Sequence, residues 1–245
     1  MVKMGDGLFY GEIRRDYEGF IKLLNSSDLV ELGLDQCYQE LHKKVYILKE
    51  ILNESGPVNS IGLSYSLETL GGLIEFIYLL SQNRYKLAAS SLRNSMETFA
   101  KSLIHINSLS DTNGFTNNIE LAISKIGDEY IVNVQKKIRN KPLKKIIGDN
   151  YREILKKLYW CLCDIVHARD TSFNHCYEYL EEILKSNFDE SKFYTLYDSA
   201  MVFTNKALVI FYIQYFETIN NNMNEIKLEY IIGELEEDFH QVFRS

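Results

Sequence analysis

The chain has 245 residues, of which 46% are hydrophobic, 13% aromatic and only 2 are proline, and its formal charge is −7. Average usage would put roughly a dozen prolines in that length. So apolar and proline-poor a composition excludes a collagenous chain, a proline-rich linker and an acidic disordered tail, and it suffices for one compact domain with a sizeable core.

Apolar residues recurring at helical spacing predict nine helices, over 10–24, 28–53, 57–81, 85–107, 117–139, 150–167, 174–185, 191–220 and 224–243. Asp28 and Asn224 have the chemistry of N-caps, and Pro57 sits where the missing N–H of a first helical position costs nothing. Breaks are expected at 54–56, 82–83, 110–114, 141–142 and 220–222, none long enough for an interdomain linker. Strand alternation and hairpin turns are missing from the pattern. The expected architecture is all-α: one domain, 1–245, folded as a bundle of about nine mostly antiparallel helices. Gly71-Gly72, inside an apolar helix and without a following Lys-Ser/Thr, reads as a kink or a close helix contact and not as a phosphate loop.

The first 25 residues lack an apolar leader, and the longest greasy stretch, 200–219, is interrupted by Asn205, Lys206, Gln214 and Glu217. Three of the four cysteines (Cys37, Cys161, Cys163, Cys176) crowd together, unlike a secreted disulfide framework. A cytoplasmic protein without a membrane segment is expected. Its charge is uneven. Nine basic residues between Lys136 and Lys157, among them Lys144, Lys145, Arg152 and Lys156, face only Asp149 and Glu153, a local +7 that leaves −14 for the rest. Such a segment is either a solvated helix face or the contact for an anionic partner such as RNA.

Two helices carry polar residues in telling places. In 85–107, Leu92, Met96, Phe99, Ala100, Leu103 and Ile104 form an apolar arc, with Arg93 and Glu97 inside its border and Asn94, Ser95, Thr98 and Ser102 opposite. Arg93 and Glu97, spaced i,i+4, are expected to lean inward as a structural polar pair. In 150–167, Tyr151, Ile154, Leu155, Leu158, Leu162 and Ile165 give the apolar side. The lone tryptophan, Trp160, projects with Arg152, Lys156, Cys163, Asp164 and His167 onto the other, and Asp164 is close enough to orient His167. Arg169 and His175 follow at a turn and at the next helix start. His can act as general base and Arg on a developing phosphorane, which is RNA chemistry without a metal. Cys163 and His167 are placed for a metal pair, but Cys161 points away, so no metal and no other cofactor is expected. Cys37 and Cys161 are expected in the core, His42, His105 and His240 at the surface or its boundary, and Tyr194, Tyr197, Tyr212 and Tyr215 as core and interface anchors.

The stretch Ser91-Leu-Arg-Asn-Ser-Met-Glu-Thr-Phe-Ala-Lys-Ser-Leu resembles the Leu-Arg-x-x-x-Glu helix of HEPN-like, abortive-infection-type proteins. Tyr159-Trp-Cys-Leu-Cys-Asp-Ile-Val-His-Ala resembles the Leu-Ser … Val-His segment that ends a later helix there. Arg169-Asp170 followed by His175 matches the Arg, polar residue and spaced His of HEPN ribonucleases. The resemblance covers roughly residues 60–215, with helices 10–55 and 224–243 as additions. It implies a defence or toxin protein, with Arg169, His175, His167 and Asp164 as the catalytic set. Lys144, Lys145, Arg152, Lys156 and Trp160 would be RNA contacts. It also implies a homodimer with motifs facing each other, with a cognate antitoxin or phage-derived trigger as partner. The alternative from the residues alone is a non-catalytic dimeric sensor; Arg93, Glu97 and His167 are the rival site.

Overall fold

In the computed structural model, residues 6–24, 34–55, 60–126, 143–173, 187–237 and 239 are described. Among them are nine α-helices and no strand: α1 (Asp6–Leu24), α2 (Asp35–Glu54), α3 (Ser60–Ser81), α4 (Tyr85–Ile106), α5 (Phe115–Lys125), α6 (Leu143–Val166), α7 (Glu190–Gln214), α8 (Phe216–Asn222) and α9 (Glu225–Glu234). The expected all-α bundle is what forms. Asp28, Pro57, Pro142, His175, Cys176, His240, the helix expected over 174–185 and the basic residues at 136, 137, 139 and 141 lie outside the described residues.

α3 and α4 form the spine as an antiparallel hairpin. A Cβ on Gly62 would come 2.8 Å from Ile106 Cγ1 and 3.1 Å from its backbone nitrogen. Further along, the Thr69 and Thr98 hydroxyls meet at 3.0 Å and Ser91 Oγ donates to the Gly72 carbonyl at 2.9 Å. Ser95 and Ser102 are fully buried, so the side of α4 opposite the apolar arc is a second interface, lined with small polar residues. Gly72 is the close contact foreseen, while Gly71 meets nothing within 4 Å.

Three helix ends reverse through a left-handed residue that is not glycine. Asn83 (φ 54°), Ser108 (φ 53°) and Ala168 (φ 58°) each occupy the C′ position. The following residue donates back across the last turn: Arg84 to Leu79 O, Leu109 to Ile104 O and Arg169 to Asp164 O, each at 2.9 Å.

α4 is central. Phe99 makes edge contacts with Phe203 and Phe211 of α7 at 5.5 and 5.2 Å. Two of the polar residues that interrupt 200–219 are satisfied in place. Lys206, 9% exposed, donates to both Glu236 oxygens at 2.6 and 2.8 Å and lies 4.1 Å from the centre of the Tyr151 ring. Gln214 Oε1 accepts from Asn107 Nδ2 at 3.1 Å. The C-terminal helix α9 is clamped to α2 by ion pairs from Lys43 and Lys44 to Glu234 and from Lys227 to Glu50.

Several expectations are corrected. The helix expected over 191–220 breaks at Tyr215 into α7 and α8, in a stretch with no Gly or Pro to mark it. α2 begins at Asp35, not Asp28, and α6 begins at Leu143 and runs through Gly148, not at Asn150. Asn224 does cap α9, accepting from the Lys227 N–H at 2.9 Å. Cys161 is exposed and Tyr194 is 39% exposed, whereas Tyr212 and Tyr215 are core. His42 is buried, not superficial: Nε2 lies 2.9 Å from Asp16 Oδ2, and burial lowers its basicity despite that carboxylate. α3 is the most apolar of the long helices among the described residues. Its segment Ile61–Ser81, with mean hydropathy 1.2, is long and apolar enough to cross a membrane by length and composition alone.

Candidate functional site

α4, α5 and α6 meet around Tyr159. Arg93 Nη2 donates to Glu97 Oε1 at 2.6 Å and to the Tyr159 hydroxyl at 3.2 Å, and that hydroxyl donates to the same Glu97 oxygen at 2.7 Å. The Arg93–Glu97 pair expected from the i,i+4 spacing is therefore present, closed by a third residue from another helix. Phe115, the first residue of α5, stacks on the Tyr159 ring with centroids 4.3 Å apart. Burial opposes the charge on Arg93, but the Tyr159 hydroxyl and the Glu97 carboxylate outweigh it and hold the guanidinium above its usual value. Burial and the Glu97 carboxylate push Tyr159 up to about 12, so it is a neutral donor throughout the ordinary pH range. The three groups bind one another, which makes the cluster a buckle between α4 and α6.

Cys163, one turn after Tyr159, is buried, not on the open face with His167 as expected. With Cys163 turned inward and Cys161 outward, the cysteines of α6 do not converge. No cluster of three or more His, Cys, Asp and Glu able to hold a metal occurs among the described residues.

The outer side of α6 is open. Trp160 is 53% exposed and touches the edge of Tyr159, with centroids 5.7 Å apart. It lines a shallow depression of about 490 Å³ with Glu153, Ile154, Lys156 and Lys157. Lys156 is ion-paired with Glu120 of α5, and this bond holds the Glu120 carboxyl below its usual range. Arg152 is half-buried on the same helix. Lys144 and Lys145 fall in the first turn of α6, and their side chains lie outside what is described.

At the end of the helix, His167 is exposed. The Asp164 carboxylate expected beside it pairs instead with Arg169, Oδ1 to Nη1 at 3.3 Å. The cause is the reversal at Ala168, which folds Arg169 back over the last turn. Asp170 then caps a 3-10 turn at Thr171–Phe173, accepting from Ser172 N and Oγ at 3.0 and 2.6 Å, and Phe173 anchors it in the core. Asp164, His167 and Arg169 are thus gathered at one end of an exposed strip whose other end holds Trp160 and Lys157. Sequence reasoning missed Tyr159, Phe115 and Glu120 as members. Their signal is tertiary, except that Tyr159 stands four residues before Cys163 on the side of α6 that meets α4.

No family model, curated protein or solved structure matches the chain.

Proposed function

We propose that the chain is a cytoplasmic HEPN-like protein of a defence or toxin system that cleaves single-stranded RNA without a metal ion at the C-terminal end of α6. One observation carries the reading: Trp160, Lys157, His167 and Arg169 share an exposed strip that ends in a strained reversal at Ala168. An exposed Trp beside lysines suits an unpaired base stacked on the ring with its phosphate held alongside. In the step proposed, His167 takes the proton of a 2′-hydroxyl, the 2′-oxygen bonds to phosphorus, and the bond to the 5′-oxygen breaks as that oxygen takes a proton from solvent water. A 2′,3′-cyclic phosphate remains. Arg169 swings from Asp164 to the phosphorane oxygens. That exchange is cheap, because a pair whose side chains are 68% and 49% exposed is weak. His175 is the alternative base. Two copies facing through this strip would form the homodimer, with an antitoxin or phage-derived trigger as its regulator.

The second reading is a non-catalytic dimeric sensor. It is favoured by the closed Arg93–Glu97–Tyr159 buckle, which engages Arg93 and Glu97 of the rival site with each other and with Tyr159. The test is to incubate wild type, Arg169→Ala, His167→Ala and His175→Ala with total RNA in EDTA. Chelator-resistant cleavage to cyclic phosphate ends, lost in Arg169→Ala and in one of the His variants, supports the enzyme. Intact RNA with wild type at micromolar protein selects the sensor.

A further inference from the structure

α3 buries one side and leaves another open. Leu73, Phe76, Ile77 and Leu80 are core, and Gly62, Thr69 and Gly72 face α4. Leu67, Gly71, Ile74 and Tyr78 follow at intervals of four, three and four residues, which puts them on one outward stripe. Leu67, Ile74 and Tyr78 are about half exposed, at 49, 51 and 50%. Gly71 lies at the centre with open space where its Cβ would be, so nothing inside the described fold uses the missing side chain. Isolated exposed apolar residues are ordinary. Three large ones in heptad register around a glycine form a seam into which another helix can settle closely.

The charges beside the seam select its occupant. α3 has no Lys, Arg or His; its only ionisable side chains apart from Tyr65 and Tyr78 are Glu68 and Glu75, both exposed and bordering the stripe on the side toward α4. Glu75 Oε2 accepts from Ser91 Oγ at 2.8 Å, which fixes it at that border. A second α3 would set glutamates against glutamates or against the apolar stripe. An anionic lipid surface would repel them. A helix with an apolar face edged by Lys or Arg matches both seam and border. We infer that the outer face of α3 docks a basic amphipathic helix of a partner protein. The inference is independent of the RNA reading, since it uses a different face and no residue of α6.

The probe is a dye-labelled synthetic helix of the length of α3, with Leu at heptad spacing and Lys on the flanks, compared by fluorescence anisotropy with a copy carrying Glu in place of Lys. Wild type should bind the Lys helix at least about tenfold more tightly at low salt, and Glu68→Lys/Glu75→Lys should reverse the preference. Gly71→Gln, which the open space accommodates, should weaken binding by about tenfold or more while the helical signal and thermal midpoint are kept. Equal affinity for the two helices, or undiminished binding to Gly71→Gln, would overturn the inference. So would self-association of wild type that Gly71→Gln abolishes, which assigns the face to a second copy, or co-sedimentation with anionic phosphatidylglycerol vesicles, which assigns it to a membrane.

Discussion

Replacing Gly71 and Gly72 one at a time by Ala should move stability in opposite directions, although the two residues are neighbours in one helix. Either change removes the backbone freedom of glycine from a helix interior, a gain of about 0.5–1 kcal/mol. At Gly71 that gain stands alone, because nothing lies within 4 Å of the new methyl. At Gly72 the methyl would run into Ser95 Oγ, with Ser95 Cβ at 3.4 Å and the Ser91 carbonyl at 3.5 Å. Ser95 is fully buried and bonded to Ser91 O at 3.0 Å, so it has little room to yield. α3 and α4 would have to part, stretching the Ser91–Gly72 and Thr69–Thr98 bonds. Overpacking of this kind costs about 1–3 kcal/mol. The net expectation is a gain of about 0.5–1 kcal/mol for Gly71→Ala and a loss of about 1–2 kcal/mol for Gly72→Ala. For a chain of this size each kcal/mol shifts the thermal midpoint by about 2–4 °C. Urea and thermal unfolding followed by helical circular dichroism read both. A Gly72→Ala protein as stable as wild type, or a Gly71→Ala protein as damaged as Gly72→Ala, would refute the close α3–α4 contact.

The other expectations concern α6. Ala168→Gly should raise stability by up to about 1 kcal/mol in urea unfolding, since it relieves a left-handed alanine at a helix C′ position. Tyr159→Phe should cost about 1 kcal/mol, because Arg93 and Glu97 keep each other but lose the shared hydroxyl. Tyr159 is raised from 10.0 to about 12 in the fold, so the unfolded chain releases this proton first as the medium becomes alkaline. Its contribution is fully present below pH 10 and is lost as pH rises through about 12; urea midpoints measured across that window should fall less steeply in Tyr159→Phe than in wild type.

What was legible in the sequence was local. The helical period needs only neighbours within one turn, and so does the Arg93–Glu97 pair. Asn224 signalled its cap because its own side chain makes the bond. Tyr159 was not legible as a partner because it lies 62 residues from Glu97, on a helix whose rotation is set by packing. Cys163 projects onto the open face in the sequence, yet the rotation that packing gives α6 buries it. His42 looked superficial because Asp16, its counter-charge, lies 26 residues away on another helix. Gly148 and Asn150 resemble punctuation, but α6 runs through both. The reversals at Ser108 and Ala168 carried no glycine to announce them, and the one at Ala168 is what takes Asp164 from His167 and gives it to Arg169.

The central claim, that the outer strip of α6 receives single-stranded RNA, has a built-in reporter, because Trp160 is the only tryptophan and is 53% exposed. Titrating the protein with a short single-stranded RNA while following tryptophan emission reads the strip directly. Saturable quenching is expected, weakening as salt rises because phosphate contacts release counterions, together with weaker RNA binding by Trp160→Leu in a gel shift. Unchanged emission at saturating RNA, or equal RNA binding by Trp160→Leu, would contradict it.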